Sequence, residues 1–579
     1  MGRVVASGAN HIPPDCVGID FHAADRGLRD LLAIYLPDVV KRMLDPHFAR
    51  LGQLAGGRLD KLARIADRYP PILHARDRFG HDEDWIEYHP AYREMESIAY
   101  GDFQFHAMSH RAGVLGMTAP LPAVAKYAFQ YLFVQAEFGL MCPISLSDTA
   151  IHLIRRFASA ELQSYLLPRM LSADMSTLWK GSQFITEQAG GSDIGAIETI
   201  ARHDGETWRL TGDKWFCSHT DADVALVLAR PEGAAAGTRG LALFAMPRRL
   251  KDGRRNAYRI VRLKDKLGTR SMASGEIKLQ GAEAWLVGDS SAGLKQMIEQ
   301  VNLARLSHGF RAAAMMRRCV NEALAAARGR HAFGRAVIDS PLMRRELVKL
   351  IVPAEQALSV AFATADAMDR GAAVELRILT GLLKLRACRD NIAVATGAME
   401  ARGGNGYIEE WVTARLIRDA QVGLLWEGTS NINALDVIER AVGRSGAHRA
   451  LAAMLESRLA DAHLPPAFAT RLGTALDRAC RAAEQSAGYE TLARTAATAL
   501  YNAASAVLLA WEGSRPDTDG RRLLLARYVL DYRLSPRDPL APDEADWEQP
   551  VARILTDVHP ISTVDAAAFL APREGASRV

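Results

Sequence analysis

Six short segments carry residue types that could do chemistry, and long intervals separate them. Thr186-Glu187-Gln188-Ala189-Gly190-Gly191-Ser192-Asp193 sets adjacent glycines among hydroxyls, so backbone N–H groups could approach a phosphate or the edge of a planar cofactor. By itself the octapeptide fits a surface turn better. Lys214-Trp215-Phe216-Cys217-Ser218 offers two aromatics and a hydroxyl, and by itself fits a buried aromatic strand. Lys266-Leu267-Gly268-Thr269-Arg270-Ser271, Arg330-His331-Ala332-Phe333-Gly334, Gly403-Gly404-Asn405-Gly406-Tyr407 and Trp426-Glu427-Gly428-Thr429-Ser430-Asn431 follow in that order. Glu427 alone fits a helix-start carboxylate. A carboxylate facing an apolar pocket would instead be desolvated, which raises its pKa and strengthens it as a base.

Three kinds of element must hold these segments. Residues 1–180 read mainly as helices broken by Pro and Gly, with a loop at Arg76–Asp82 and helices over Ala123–Ala136 and Thr149–Leu167. Residues 181–286 read as a β domain, with strands near Trp208–Phe216, Val224–Ala229, Leu241–Ala245, Tyr258–Val261 and Glu276–Leu279. Helical periodicity returns at about Ser290. Long helices are expected from Leu294 to Phe333, over Pro341–Asp369 and over Ala373–Ala401, so residues 287–440 read as a four-helix bundle. An additional helical domain is expected over 441–540, marked by Leu451, Leu455 and Leu459 and by Leu492, Ala496, Ala499 and Ala503. Residues 541–579, rich in Pro, Asp and Glu at their start, read as a loosely packed tail.

Composition excludes several classes. The 579 residues suffice for three or four domains, and 49% hydrophobic with 24% charged residues fits folded cores and not disorder. A net charge of +4, from 71 basic and 67 acidic residues, is too small by itself to argue for a nucleic-acid partner. No G-x-G-x-x-G, G-x-x-x-x-G-K-[ST] or H-E-x-x-H occurs, and the histidines form no ligand-spaced cluster, so no metal site is expected. Six scattered cysteines without a C-x-x-C argue against a disulfide scaffold and fit a reducing cytoplasm. No membrane span or signal peptide is expected.

The six segments in this order, on a helix–sheet–helix background, resemble the acyl-CoA dehydrogenase superfamily over about residues 60–440. Within it, His89-Pro90-Ala91-Tyr92, Cys142-Pro143-Ile144, Lys214-Trp215-Phe216 with Ser218, Arg262–Gly268 and the helical region after Arg440 are most similar to the subfamily of the alkylation-response protein AidB. The resemblance implies a mainly α fold with a central β-barrel-like domain, and FAD held between that domain and the bundle. It implies that Thr186, Gly191 and Ser192 contact the flavin and its phosphates, with Phe216 against the isoalloxazine and Ser218 near its N5. Arg330 and Phe333 would reach the FAD of a neighbouring subunit in a homotetramer, Gly403 and Gly404 the adenine side, and Thr429 and Asn431 the flavin. Glu427 would be the catalytic base removing the proton α to a thioester carbonyl, with electrons passed to an electron-transfer flavoprotein.

Some residues depart from that pattern. Glu400 and Arg402 stand where Gln and an apolar residue are usual, and Trp426 replaces a Tyr and would narrow the site. Arg305 is expected either to touch CoA, to brace Glu427 or to form a plain salt bridge. Two further readings compete with α,β-desaturation of an acyl-CoA. One is a DNA-binding flavoprotein using Arg440, Arg444, Arg449, Arg521, Arg522, Arg527 and Arg533, although Glu439 is acidic where such a protein would carry Arg. The other is a flavin oxidase or monooxygenase.

Overall fold

A computed structural model describes residues 12–536, 540 and 545–571. The N-terminal region is helical as expected, but with two differences. The expected loop at Arg76–Asp82 is the tip of a hairpin, β1 (Ile72–Arg76) with β2 (Asp82–Glu87). The single helix expected over Thr149–Leu167 is two, Met141–Phe157 and Ala160–Met170. Between them Ser159 leaves helical geometry and its hydroxyl accepts from the Leu162 amide, a capping contact that restarts the helix.

The middle region contains β3 (Gly181–Phe184), β4 (Ile200–His203), β5 (Trp208–Ser218), β6 (Val224–Pro231), β7 (Ala242–Pro247), β8 (Tyr258–Leu263) and β9 (Ser274–Val287). Pairing runs β6–β4–β5–β9–β7 and back to β6, so these five strands close into a ring, with β3 added to β6 and β8 to β9. Closure removes the free edges that a five-stranded open sheet would present. The barrel's Leu226, Leu228 and Leu243 pack on Ile151 and Ile154 of the Met141–Phe157 helix, in a core separate from the main one.

Helices Gly293–Gly329, Pro341–Asp369 and Ala373–Arg402 build the bundle, completed by Val412–Val422 and by the run from Ser430 to Arg444. Pro341 suits the first helical turn, where its missing N–H costs nothing. The Pro341–Asp369 helix is long and apolar enough to cross a membrane, yet 94% of its most apolar window is buried inside the protein. It is the central core helix.

Beyond Arg444, helices Ala447–Asp461, Pro466–Ser486, Ala493–Gly513 and Arg521–Val529 pack on the bundle. The buried Glu512 carboxylate accepts from Ser359 Oγ at 2.6 Å, Arg522 Nη1 at 2.9 Å and Tyr35 Oη at 3.1 Å, which joins three regions at one point. The expectation of a loose tail is corrected. Helices Ala545–Thr556 and Thr563–Ala568 pack back on the molecule, and Trp547, Val551, Leu555 and Leu570 are buried. Apolar spacing over a short helix, not the Pro and acidic content before it, decides the outcome there.

Candidate active site

Glu427 stands in the turn between the Val412–Val422 and Ser430–Leu435 helices. Its φ is 56° and that of Gly428 is 95°, so two successive residues lie in the left-handed region, a strained state for a side chain as large as Glu. Side chains hold that turn from both sides. Arg305 Nε donates to the Glu427 carbonyl at 3.2 Å, and Asn433 Nδ2 donates to the carbonyls of Gly428 at 2.6 Å and Thr429 at 2.9 Å. Arg305 is itself fixed by Asp436 at 2.7 Å, which also pairs with Arg377 at 2.7 Å.

The Glu427 side chain is half-buried, and desolvation raises its pKa against the opposing pull of Arg305, Lys384 and Arg311. Trp426 beside it stacks on Phe138 at 6.3 Å between centroids and meets the His308 ring edge-on at 5.4 Å. His308 is fully buried, and burial holds it neutral, well below its ordinary pKa. Arg305 is thus only 9% exposed and committed to Asp436 and to the Glu427 backbone. Of the three roles expected for it, these contacts are those of a salt bridge and of a brace on the Glu427 backbone.

The β side of the site depends on a bulge. On β5 Lys214 pairs with Ile277 but Cys217 pairs with Gly275, so β5 carries one extra residue. Both Lys214 and Cys217 therefore point inward, and Phe216 is turned out to 59% exposure. Strict alternation would have buried Phe216 with Lys214. Ser218 Oγ lies 3.4 Å from Ser274 Oγ across the ladder. Lys214 Nζ, buried, forms an ion pair at 2.6 Å with the buried Glu187, whose carboxylate also accepts from the Glu198 amide at 2.6 Å. That pair pins the Thr186–Asp193 loop to the barrel, helped by the Trp215 amide donating to the Thr186 carbonyl at 2.9 Å. Gly191 and Ser192 are left exposed on its outer side.

Cys142, at the start of its helix, connects the two sides. Burial keeps its thiol protonated, and the charges of Arg311, Lys266 and Glu427 are near enough to bear on it. The Lys266–Ser271 segment seats the barrel on the bundle. Thr269 N–H donates to Asp419 Oδ1 at 2.6 Å, and a Cβ on Gly268 would come within 2.6 Å of the Arg418 backbone, so only glycine fits that approach. Sequence reading missed Asn433, Asp436, Asp419 and Glu187. Only Glu187 lies in a segment that had been singled out.

A second group lies elsewhere. Arg330 and Phe333 follow the Gly293–Gly329 helix, where Phe333 is fully exposed with φ 52°. A Cβ on Gly403 would meet Arg330 Nη1 at 2.9 Å, so this pair is brought together. Arg330 is 25 residues from Arg305 along one helix, about 37 Å at 1.5 Å per residue. Thr429 and Asn431 are exposed on the Glu427 side.

Of the seven arginines expected to form a DNA face, Arg440, Arg444, Arg449 and Arg533 are exposed, while Arg521, Arg522 and Arg527 are engaged within the protein. Arg522 is buried between Glu355 and Glu512, and Arg527 is buried against Asp531. Arg521 pairs with Asp519, Arg449 with Glu484 and Arg440 with Asp436. Glu439 accepts from the Gly488 amide at 2.9 Å.

Family models match the chain in three consecutive blocks: the adaptive response protein AidB N-terminal domain over residues 11–175, the acyl-CoA dehydrogenase middle domain over 182–282 and the acyl-CoA dehydrogenase C-terminal domain over 291–443. The putative acyl-CoA dehydrogenase AidB of Escherichia coli is 35% identical over 394 residues, 65% of this chain and 70% of that protein. Acyl-CoA dehydrogenase family member 11 of Caenorhabditis elegans is 30% identical over 437 residues, 72% of this chain and 70% of that one. Among solved structures, C. elegans ACDH-11 in complex with C11-CoA superposes with a TM-score of 0.85 at 26% identity, covering 93% of this chain and 95% of that one. The apo form of Bd2924 gives 0.77 at 29% identity, covering 87% and 100%. The order of the domains, the strained glutamate between bundle and barrel, and these matches together make the chain a member of the acyl-CoA dehydrogenase family, of its AidB-like subfamily.

Proposed function

We propose that this protein binds FAD and dehydrogenates an acyl-CoA thioester across its α,β bond, with Glu427 as the base. The observation that carries the reading is the Glu427 turn: a half-buried carboxylate of raised pKa, held in a left-handed conformation by Arg305 and Asn433. The residues present fit a flavin. Phe216 is bulged outward as an exposed aromatic face, Ser218 lies one residue beyond the buried Cys217, and the Gly191 side of the pinned loop is open.

A bound flavin would supply the two-electron acceptor for the hydride leaving the β-carbon. Glu427 takes the α-proton, and desolvation by Trp426 and Phe138 makes its carboxylate a stronger base than one in water. Arg305 and Asn433 fix the direction from which that carboxylate approaches. As Glu427 is neutralised, Arg311 and Lys384 lose the negative charge that offsets them in the resting protein.

The 37 Å between Arg305 and Arg330 supports a cofactor site shared between subunits of a homotetramer, because one site could not take both from the same chain. An electron-transfer flavoprotein is the acceptor we assign to the reduced enzyme, and the cytoplasm its compartment, where its six free cysteines would stay reduced. Anaerobic titration of the yellow protein with a panel of acyl-CoAs, followed at about 450 nm, tests the reading. Bleaching that is lost in Glu427→Gln is expected. A bound flavin that no thioester bleaches would overturn it.

A further inference from the structure

Two arginines on the Gly293–Gly329 helix are the largest fully buried side chains among the described residues, and they differ in one respect. Arg318 pairs with Asp60 at 2.8 Å and Glu322 at 3.0 Å and donates to the Gln135 carbonyl at 3.0 Å. Arg311 lies seven residues earlier, on the same helix face, and is 1% exposed. Among the described residues no carboxylate is within ion-pair distance of it. Its Nε donates to the Ser307 hydroxyl at 3.2 Å, its guanidinium stands 5.6 Å from the Phe138 ring centre, and its buried Nη1 has no partner.

Lys384, also 1% exposed, is in a similar state: its Nζ donates to the Gly423 carbonyl at 2.6 Å and faces no carboxylate at ion-pair distance. Both cations act on Glu427, so in the resting protein Glu427 is the nearest charge that offsets them. That compensation ends when Glu427 accepts a proton. Two buried cations then remain, beside neutral His308 and the apolar faces of Phe138 and Trp426. Leaving a buried guanidinium without a counter-charge is strongly unfavourable. An alkyl chain reaching this wall would desolvate Arg311 further and return nothing. A carboxylate would supply the missing acceptor in bidentate geometry, the arrangement for which a guanidinium fork is built.

We propose that Arg311, with Nη1 unpartnered in the Phe138–Trp426 wall beside Glu427, binds a second carboxylate on the acyl group, so that the site takes monothioesters of dicarboxylic acids in preference to neutral acyl chains. The assignment rests on the acyl-CoA site proposed around Glu427. It makes Arg311 the residue that sets substrate class, and Lys384 a second contributor of positive potential.

The test compares matched thioesters on the FAD-loaded enzyme: succinyl-, glutaryl- and adipyl-CoA against butyryl-, valeryl- and hexanoyl-CoA. Affinity is measured by calorimetric titration and flavin bleaching is followed separately. The wild type is expected to bind at least one dicarboxylyl thioester roughly ten-fold or more tightly than its neutral match, the worth of one charge-assisted pair. Arg311→Leu should reduce that ratio to about one with the neutral ligands bound as well or better, consistent with loss of one charged contact. Arg311→Gln, which keeps a polar group near Ser307, covers the case in which the Leu variant fails to fold. Equal affinities across every matched pair, or a preference unchanged in the folded variant, overturn the proposal and leave the dehydrogenase reading standing. A preference that Arg311 controls, with no bleaching by any thioester, sustains the proposal and removes the dehydrogenase reading.

Discussion

Glu427 is the residue on which most of the chemistry depends, and its environment sets how it should respond to pH. Burial raises its folded pKa above the ordinary carboxylate value, so the fold favours the protonated form. Its contribution to stability is full below the unfolded pKa of about 4.3 and is lost as pH rises through the folded value. Two outcomes are expected. Reductive bleaching by substrate should decline on acidification through a pKa above the ordinary carboxylate range. Glu427→Gln should lose roughly 100-fold or more of the bleaching rate. Asn433→Ala is a subtler change. It removes both side-chain hydrogen bonds to the Gly428 and Thr429 carbonyls, so the base should lose its aim, with the rate falling by up to about a hundred-fold. Stopped-flow reduction at saturating substrate, set beside a binding titration, should show the loss in the rate and not in the affinity.

At the scale of elements, the junction between barrel and bundle carries a pH dependence of its own. Asp419, on the Val412–Val422 helix, accepts from the Thr269 amide, and burial pushes its pKa up to about 7. Its stabilising contribution is full below about pH 4 and is lost as pH rises through 7. Asp419→Asn keeps the acceptor and removes the charge, so its Tm advantage over the wild type should grow between pH 5 and pH 8. Thermal unfolding followed by flavin fluorescence would measure it. Much at this scale was legible in the sequence. Pro341 and Gly371 bracket a helix whose apolar spacing is unbroken, and the shift to β-branched runs after Gly181 marks the barrel. Side-chain periodicity could not show the extra residue in β5, because Lys214 and Cys217 both suit a core and only the partner strand fixes the count. Asn433 and Asp436 were illegible for another reason: their role is to hold a turn that becomes strained only when folded. The helices after residue 544 were obscured by the Pro- and acid-rich chain before them.

For the whole molecule, the separation between the Glu427 and Arg330 groups gives the most direct test of assembly. If each cofactor site takes Glu427 from one subunit and Arg330 from its neighbour, Glu427→Gln and Arg330→Ala should each be inactive alone. Mixed assemblies would contain intact sites built from one functional half of each subunit. Co-expression at equal levels should restore about one quarter of wild-type activity, whereas sites wholly within one chain would restore none. The C-terminal region belongs to this scale too. Seven arginines read as a surface for nucleic acid, yet Arg522 and Arg527 are internal struts, a distinction that composition cannot make.

The closed ring of strands also sets the order in which the newborn chain can mature. β5 pairs with β9 some 60 residues later, so the barrel cannot close until Val287 has been made. The Gly268–Thr269 segment finds its seat only when Asp419 arrives, and Glu427 and Asn433 follow. Residues such as Phe48 and Phe129, stacked at 4.1 Å in the finished core, share that core with helices of the bundle. At roughly 5–20 residues per second, about 20–80 s separate the synthesis of Phe48 from that of Asn433. During that interval the N-terminal helices carry apolar faces without their final partners, so the core they share with the bundle is completed last.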